Sequence, residues 1–298
     1  MSAIKTVAIA GASGDLGSHV FKKFAASEFT IRVLKRAGSE STFPEGTDVV
    51  EVDYSSVESL TAALKGQDAV ISTLTTLAAG AQETLVDAAV VAGVKRFIPS
   101  EFGSNLDIPS VRALPLFGAK VAIQEKLKAL AKEGKISYTF VYNSVFLDWG
   151  LAHNFFVDFS KAEATLIDGG NAEFSTTTLS SVADGVVGVV SHPEETKNRV
   201  VYIQDAVLTQ KKVLELVQKA NPNKTWTVKE AVLDDLINTA NERLAKGLLD
   251  WETFGAYLYR AIYDPNSVPK FPKLDNELLG LKGKTDEEVY ELIKAAAQ

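Results

Sequence analysis

Short apolar runs alternate with amphipathic stretches along the first 150 residues of the chain. Six runs predict β-strands, namely KTVAIA, FTIRVLK, DVVEVD, DAVISTL, KRFIPS and ISYTFVYN. Several are continuous in valine and isoleucine, which is typical of strands covered on both faces. Between them the pattern predicts helices over residues 16–26, 57–65, 82–92 and 119–132. This alternation predicts an α/β fold with a doubly wound parallel sheet.

The pattern becomes more mixed after residue 150. Residues 163–195 predict a strand, a Gly-Gly turn, a second strand and a helix over about 180–190, and NRVVYIQD predicts a further strand. From Thr209 onward the pattern is largely helical, and Thr285 is typical of a helix N-cap. We therefore expect two regions, 1–150 and 151–298. No low-complexity linker separates them, so the second should pack on the first and could return strands or helices to it.

Composition narrows the class of protein. The 298 residues are 46% hydrophobic and carry 31 basic and 38 acidic side chains, a net charge of −7. This balance argues against nucleic-acid or anionic-membrane partners. Cysteine is absent and the three histidines are well separated, which excludes thiolate chemistry and disfavours a zinc site. Neither a secretory signal nor an apolar stretch near the ~18 residues of a membrane span is evident, so we expect a cytoplasmic protein.

Three glycines, Gly11, Gly14 and Gly17, follow the first predicted strand and open the first predicted helix. A phosphate-binding loop needs backbone free of side chains beside a helix N-terminus, whose N–H groups attract anions. The spacing is G-x-x-G-x-x-G, and a plain strand–turn–helix is the alternative, but the context favours a dinucleotide-binding loop. The predicted loop comprises Gly11, Ser13, Gly14, Asp15, Leu16 and Gly17.

The ends of the later strands suggest which dinucleotide is bound. Lys35 and Arg36 end the second strand, where NAD-binding folds usually carry an acidic residue. Two cations there would pair with a 2′-phosphate, which favours NADP(H), although a solvated basic pair would look the same. Asp53 would lie beside the adenine or be an ordinary loop acid. Ser72 and Thr73 would line the cofactor crevice or simply end their strand.

Lys120 is the candidate catalytic residue. It opens the helix after the fifth strand, within LPLFGAKVAIQEKLKAL. Burial and the helix dipole should lower its pKa and suit it to proton transfer, although it could equally be solvated. The alternative Tyr-x-x-x-Lys match, Tyr290 with Lys294, lies in the last helix, far from the strand ends, and we set it aside.

These segments resemble the NmrA-like and isoflavone reductase-like family of atypical short-chain dehydrogenases, in particular its fungal members. The resemblance is carried by GASGDLG, VLKR, VISTL, KRFIPSEFG, LFGAKVAIQEKL, YTFVYNSVFLDWGL and STTTLSSVADGVVGVV. It implies a Rossmann-type NADP(H)-binding domain over 1–150 and a smaller α+β substrate lobe over 151–298. The glycine loop departs from the plant reductases, which more often have an aromatic residue where Asp15 stands.

The resemblance also implies roles for individual residues. It makes Lys120 the proton-transfer residue and Arg36, with Lys35 adjacent, the basic cofactor ligand. The segment 99–103 should pass under the nicotinamide, and the end of the sixth strand should contact cofactor or substrate. These further implied cofactor contacts are Pro99, Ser100, Glu101, Phe102, Asn143 and Phe146, with Lys120 also near the nicotinamide.

The main hypothesis is an NADPH-dependent reductase of a small apolar or aromatic molecule such as an enone, carbonyl or phenylpropanoid-like compound. Phe102, Trp149 and His153 are candidate substrate contacts, and Phe155 and Phe156 are pocket-wall or core aromatics. The alternative is a non-catalytic NADP(H)-binding redox sensor that acts through a protein partner or as a homodimer. A sugar-nucleotide epimerase-like enzyme is a third reading, disfavoured by the lack of a central Tyr-x-x-x-Lys.

Overall fold

A parallel sheet forms the centre of the molecule. The computed structural model describes residues 3–75 and 78–297. Within those ranges seven strands make up the sheet: β1 (Thr6–Ala10), β2 (Thr30–Arg36), β3 (Asp48–Val52), β4 (Ala69–Ser72), β5 (Arg96–Ile98), β6 (Ser137–Tyr142) and β10 (Arg199–Tyr202). Their order is β10-β6-β5-β4-β1-β2-β3, and every pairing is parallel. The reversal between β1 and β4 confirms the predicted doubly wound α/β fold.

Helices cover both faces of the sheet. One face carries α1 (Asp15–Ala25) and α7 (Leu179–Ser191), which pack against each other. The other face carries α2 (Val57–Leu64), α3 (Ala79–Val91) and α5 (Gly118–Lys132). The corresponding predicted helices differ from these only at their ends.

The core follows from the alternation of side chains along the strands. In β1, Val7 and Ile9 join the cluster under α1 and α7, whereas Ala8 and Ala10 join the cluster under α2, α3 and α5. All four are fully buried. Burial on both faces explains why these strands are continuous apolar runs rather than alternating ones.

The second region is built from smaller units around its own core cluster. β9 (Phe174–Thr177) pairs with β7 (Val145–Phe146) and β11 (Ala206–Leu208), and β8 (Glu163–Ile167) pairs with β12 (Thr227–Ala231). The further helices of this region are α8 (Gln210–Ala220), α9 (Leu233–Ala245), α10 (Trp251–Tyr263) and α11 (Asp286–Ala296), whereas α4 (Pro109–Arg112) lies in the first region and α6 (Leu147–Ala152) joins the two. β12 interrupts the stretch that was predicted to be helical. Its residues are largely exposed and form no apolar face, so nothing in the sequence indicated a strand there.

The second region contributes directly to the central sheet. β10 pairs with β6 at the edge, and α7 covers α1. Among the described residues, no helix is both long and apolar enough to cross a bilayer.

Candidate active site

The carboxyl ends of the central strands border two adjoining cavities. The outer cavity, of about 360 Å³, is lined by the loop after β1, the end of β2 and residues 73–75. The inner cavity, of about 370 Å³, lies between the loop after β5, the start of α5 and helix α10. Gly14, Thr73 and Thr75 line both. The cleft therefore follows the switch point between β1 and β4, where ligands bind in open α/β sheets.

The glycine loop holds α1 against the sheet at the shared wall of the cavities. Gly11 has a φ of +83°, a left-handed backbone that favours glycine. A Cβ at Gly17 would lie 1.9 Å from the Gly11 carbonyl oxygen, so only glycine allows this close approach. Gly14 is the N-cap of α1, and no side chain of the described chain caps that end. The first-turn N–H groups are thus available to an anion.

The two basic residues at the end of β2 have different surroundings. The Lys35 ammonium lies 2.7 Å from a Glu51 carboxylate oxygen. Arg36 is exposed and lines the outer cavity, and its guanidinium has no ion-pair or hydrogen-bond partner in the part of the chain described. Asp53 lies outside both cavities as described, and its carboxylate accepts hydrogen bonds from the Ser55 hydroxyl and amide, which lower the pKa of Asp53.

Thr73 supports the glycine loop, whereas Ser72 lies beneath it. The Thr73 hydroxyl donates to the Ala10 carbonyl at 2.9 Å and faces Gly11 closely. Ser72 is fully buried and lines neither described cavity.

The outer cavity has the parts that a dinucleotide phosphate needs. Its glycines bring bare backbone and an uncapped helix N-terminus to the cavity, and Ser13 adds a hydroxyl at its edge. Arg36 offers an unpaired guanidinium for a further phosphate. The side chains present therefore fit a phosphorylated dinucleotide.

The segment after β5 forms the floor of the inner cavity. Pro99 is buried, and the Glu101 amide donates to the Pro99 carbonyl at 2.7 Å, which makes a tight turn. The Ser100 amide donates to the Gln82 side chain at 2.7 Å. Of these residues only Phe102 lines the cavity, together with the adjacent Gly103 and Ser104.

Lys120 projects from the first turn of α5 into the inner cavity. It is half-buried, and its ammonium donates to the Glu101 carbonyl oxygen. Burial lowers the pKa of Lys120, and the Glu101 carboxyl group opposes that shift. Leu116 and Phe117 flank it with apolar surface. An amine in such a site can hold or release a proton nearer to neutral pH than an exposed lysine.

Of the two residues predicted after the sixth strand, the structure places one in the cavity, within β7, and buries the other directly after β6. Phe146 lines the inner cavity. Asn143 is fully buried, and its side chain donates to the Ser144 carbonyl at 3.0 Å. Ser144, which the sequence did not single out, lines the cavity with a left-handed φ of +56°. The Gly103 carbonyl accepts from both the Asn143 and Ser144 amides, which holds this turn beside the floor.

Trp149 lies between the glycine loop and the inner cavity. Its indole N–H donates to the Asp15 carboxylate at 3.1 Å, and its ring lines the cavity. His153 stacks on the outer side of Trp149, with ring centroids 4.3 Å apart, and is exposed outside the cavity. Phe155 and Phe156 are buried in the core of the second region.

Helix α10 closes the far side of the inner cavity with an apolar stripe that the sequence analysis did not identify as part of the site. Its members follow helical spacing, but the same spacing marks any core-facing helix, so the pattern alone could not assign them to a cavity. The stripe consists of Trp251, Phe254, Leu258 and Ile262.

The pair set aside, Tyr290 and Lys294, lies on α11 outside both cavities. The Lys294 ammonium bonds to Glu291, and the Lys219 ammonium lies over the Tyr290 ring. In the described chain no group of three or more histidine or acidic side chains is arranged to hold a metal ion.

Comparisons with known proteins agree with this architecture. The oxidoreductase poxI of Penicillium oxalicum is 32% identical over 292 residues, which cover 94% of this chain and 91% of that protein. The oxidoreductase aprR of Aspergillus flavus is 35% identical over 248 residues, 82% of each chain.

Two solved structures share the fold across almost their whole length. AtPrR2, solved with NADP+ and (+)pinoresinol, has a TM-score of 0.78 at 23% identity and covers 99% of both chains. An isoflavone reductase has a TM-score of 0.77 at 22% identity, with 96% of this chain and 98% of that chain covered. The sequence model of the NmrA-like family matches residues 3–246 of this chain. The family resemblance seen in the sequence is confirmed: the chain belongs to the NmrA-like family.

Proposed function

We propose that this protein is an NADPH-dependent reductase of a small, uncharged, largely apolar molecule, with Lys120 as its proton-transfer residue. The observation that carries the proposal is the position of Lys120, which lines, together with Phe102, Phe117 and Phe146, a cavity that shares a wall with the glycine loop. Two relatives that match most of the chain are named oxidoreductases, which supports the same class of activity.

The cofactor assignment rests on the outer cavity. The amides at the start of α1 would hold the diphosphate, and Arg36 would hold the 2′-phosphate. AtPrR2, which shares the fold, was solved with NADP+. When bound, NADPH would supply the hydride.

The chain's own residues supply the proton and the environment. The Lys120 ammonium would donate its proton to the substrate oxygen, where negative charge would develop during reduction of a carbonyl or enone. The tie to the Glu101 carbonyl orients that ammonium. The apolar stripe of α10 excludes water, which strengthens the interaction of Lys120 with the developing charge.

The cavity lining also limits the substrate. Most of this lining is apolar, including Leu258 and Ile262, and its polar side chains include Lys120, Ser104 and Ser144. An enone, quinone or aromatic ketone combines one polar oxygen with an apolar body and therefore suits this cavity.

The test is loss of NADPH absorbance with a panel of enones, quinones and aromatic ketones. We expect turnover by the wild type, and a loss of about 100-fold or more in kcat for Lys120→Ala, with the Kd for NADPH little changed. Lys126→Ala is the matched control, since Lys126 lies on the same helix but pairs with Asp87 at the surface. Tight NADPH binding without turnover across the panel would instead favour the non-catalytic sensor.

A further inference from the structure

Glu101 is a buried acid in the floor of the inner cavity. Its carboxyl group has no role in the proposed reaction. Its exposed fraction is 1%. One carboxylate oxygen accepts a hydrogen bond from the Gln124 amide at 2.9 Å, and the same amide also reaches the Tyr142 hydroxyl at 2.9 Å. The other carboxylate oxygen is buried and has no hydrogen-bond partner in the described chain. A buried acid of this kind is costly to keep ionised.

Two side chains of α5 hold Glu101 from opposite ends. Lys120 and Gln124 are four residues apart and therefore lie on the same face of the helix. The Lys120 ammonium bonds to the main-chain carbonyl of Glu101, and Gln124 bonds to its carboxylate. The tight turn from Pro99 to Glu101 fixes the main chain between them. Glu101 is thus hydrogen-bonded to Lys120 through its main chain and to Gln124 through its side chain.

Charged and titratable groups face this acid from α4, α5 and β6. Lys120 and Lys128 on α5 and Arg112 on α4 favour its ionised form, and the hydroxyl that faces it from β6 belongs to Tyr142. Arg112 also donates to the Gln124 side-chain oxygen, which orients that amide toward Glu101. Of these cations, Lys120 exerts the largest electrostatic effect on Glu101.

We propose that Glu101 is a positioning residue for Lys120. Its carbonyl fixes the Lys120 ammonium in the cavity, and the protonation state of its carboxyl group determines how strongly Lys120 retains its proton. The role rests on the proposed function only in treating Lys120 as the proton donor. The coupling itself is a property of the free protein.

The direction of the coupling follows from the charges. Burial raises the pKa of Glu101 to about 7, although Lys120 and Gln124 oppose the rise. Above that pH the ionised carboxylate favours the Lys120 ammonium, and below it the neutral acid does not. The two groups therefore titrate as a coupled pair, and each should respond when the other is removed.

NMR titration of the protein without cofactor tests this directly, using lysine side-chain and glutamate carboxyl carbon signals. In Glu101→Gln, the Lys120 titration should move to lower pH by about one unit, the low end of what one facing charge produces. In Lys120→Met, the Glu101 titration should move to higher pH by a similar amount. The second variant keeps the test decisive if the first does not fold.

Glu133→Gln is the matched control, because Glu133 is an acid at the far end of α5 that pairs with Lys135 at the surface. It should leave both titrations unchanged. Unchanged midpoints in the two test variants, or an equal shift in the control, would overturn the role of Glu101. Failure of turnover leaves these midpoints untouched, so the loss of the reductase proposal and the loss of this one are separate results.

Discussion

Lys35 and Arg36 are neighbours in sequence but differ in what they can offer a ligand. The Lys35 ammonium is already paired with Glu51 across the β2–β3 edge, and its side chain is 20% exposed. Arg36 lies at the end of the strand, exposed and unpaired within the described chain, beside the outer cavity. A guanidinium can bind a phosphate through two parallel hydrogen bonds, whereas an ammonium acts as a point charge. The sequence alone suggested both cations, and their surroundings separate them.

Arg36→Ala should therefore weaken NADPH binding by about 10- to 100-fold, the range for losing a charge-assisted hydrogen bond. NADH lacks the 2′-phosphate, so its Kd should barely change. Lys35→Ala is the matched variant and should have a smaller effect, because its charge is already neutralised by Glu51. Isothermal titration calorimetry with both nucleotides measures this, and equal weakening of NADPH and NADH by Arg36→Ala would contradict it.

At the level of elements, the helices that were predicted well are those whose apolar face follows from local sequence. Helices α1, α2 and α5 end within a residue of their predicted bounds because each has a clear buried face. β12 was not predicted, since its stability comes from pairing with β8, a partner more than 60 residues away. The link between α1 and α6 is equally non-local, because Asp15 and Trp149 are 134 residues apart in the sequence.

The position of Asp15 in the first turn of α1 leads to a prediction about binding. Its carboxylate interacts favourably with the helix dipole but would repel a diphosphate bound at the same terminus. Asp15→Asn keeps an oxygen for the Trp149 indole and removes the charge, so NADPH affinity should rise by up to about fivefold, as for two exposed charges ~4 Å apart in water. This gain should shrink as salt is added, because salt screens the repulsion that the substitution removes.

Asp15→Ala provides the comparison for that variant. It also removes the charge, but it leaves the Trp149 indole without its acceptor. Both variants should bind NADPH more tightly at low salt, and only Asp15→Ala should change the fluorescence of Trp149. Weaker NADPH binding in both variants would mean that the diphosphate does not lie at the start of α1.

For the whole molecule, the part of the site that could be predicted is the part carried by the first 120 residues. The glycine loop opens α1, Arg36 ends β2 and Lys120 lies in the first turn of α5, so the order of elements along the chain already puts them at one edge of the sheet. Ser144 and the α10 stripe could not be assigned in this way. The α10 stripe reaches the cavity only because the second region folds back over the sheet. Ser144 follows β6 at the same edge, but its left-handed backbone, like the cavity-facing orientation of the stripe, is not visible in a single sequence.

The second region adds β10 and α7 to the central sheet, and this makes the two regions interdependent for folding. A fragment of residues 1–150 lacks β10, so the edge of β6 is unpaired, and it lacks α7, which buries Val7 and Val20 in one cluster with Val182 and Val186. We expect this fragment to show no cooperative melting and poorly dispersed amide NMR signals. Exposing the apolar face to water costs more free energy than the small net stability of a domain can offset. The full chain should unfold in one calorimetric transition with equal van't Hoff and calorimetric enthalpies. A fragment that melts cooperatively, or two separate transitions in the full chain, would show instead that residues 1–150 form an independent domain to which the rest is merely attached.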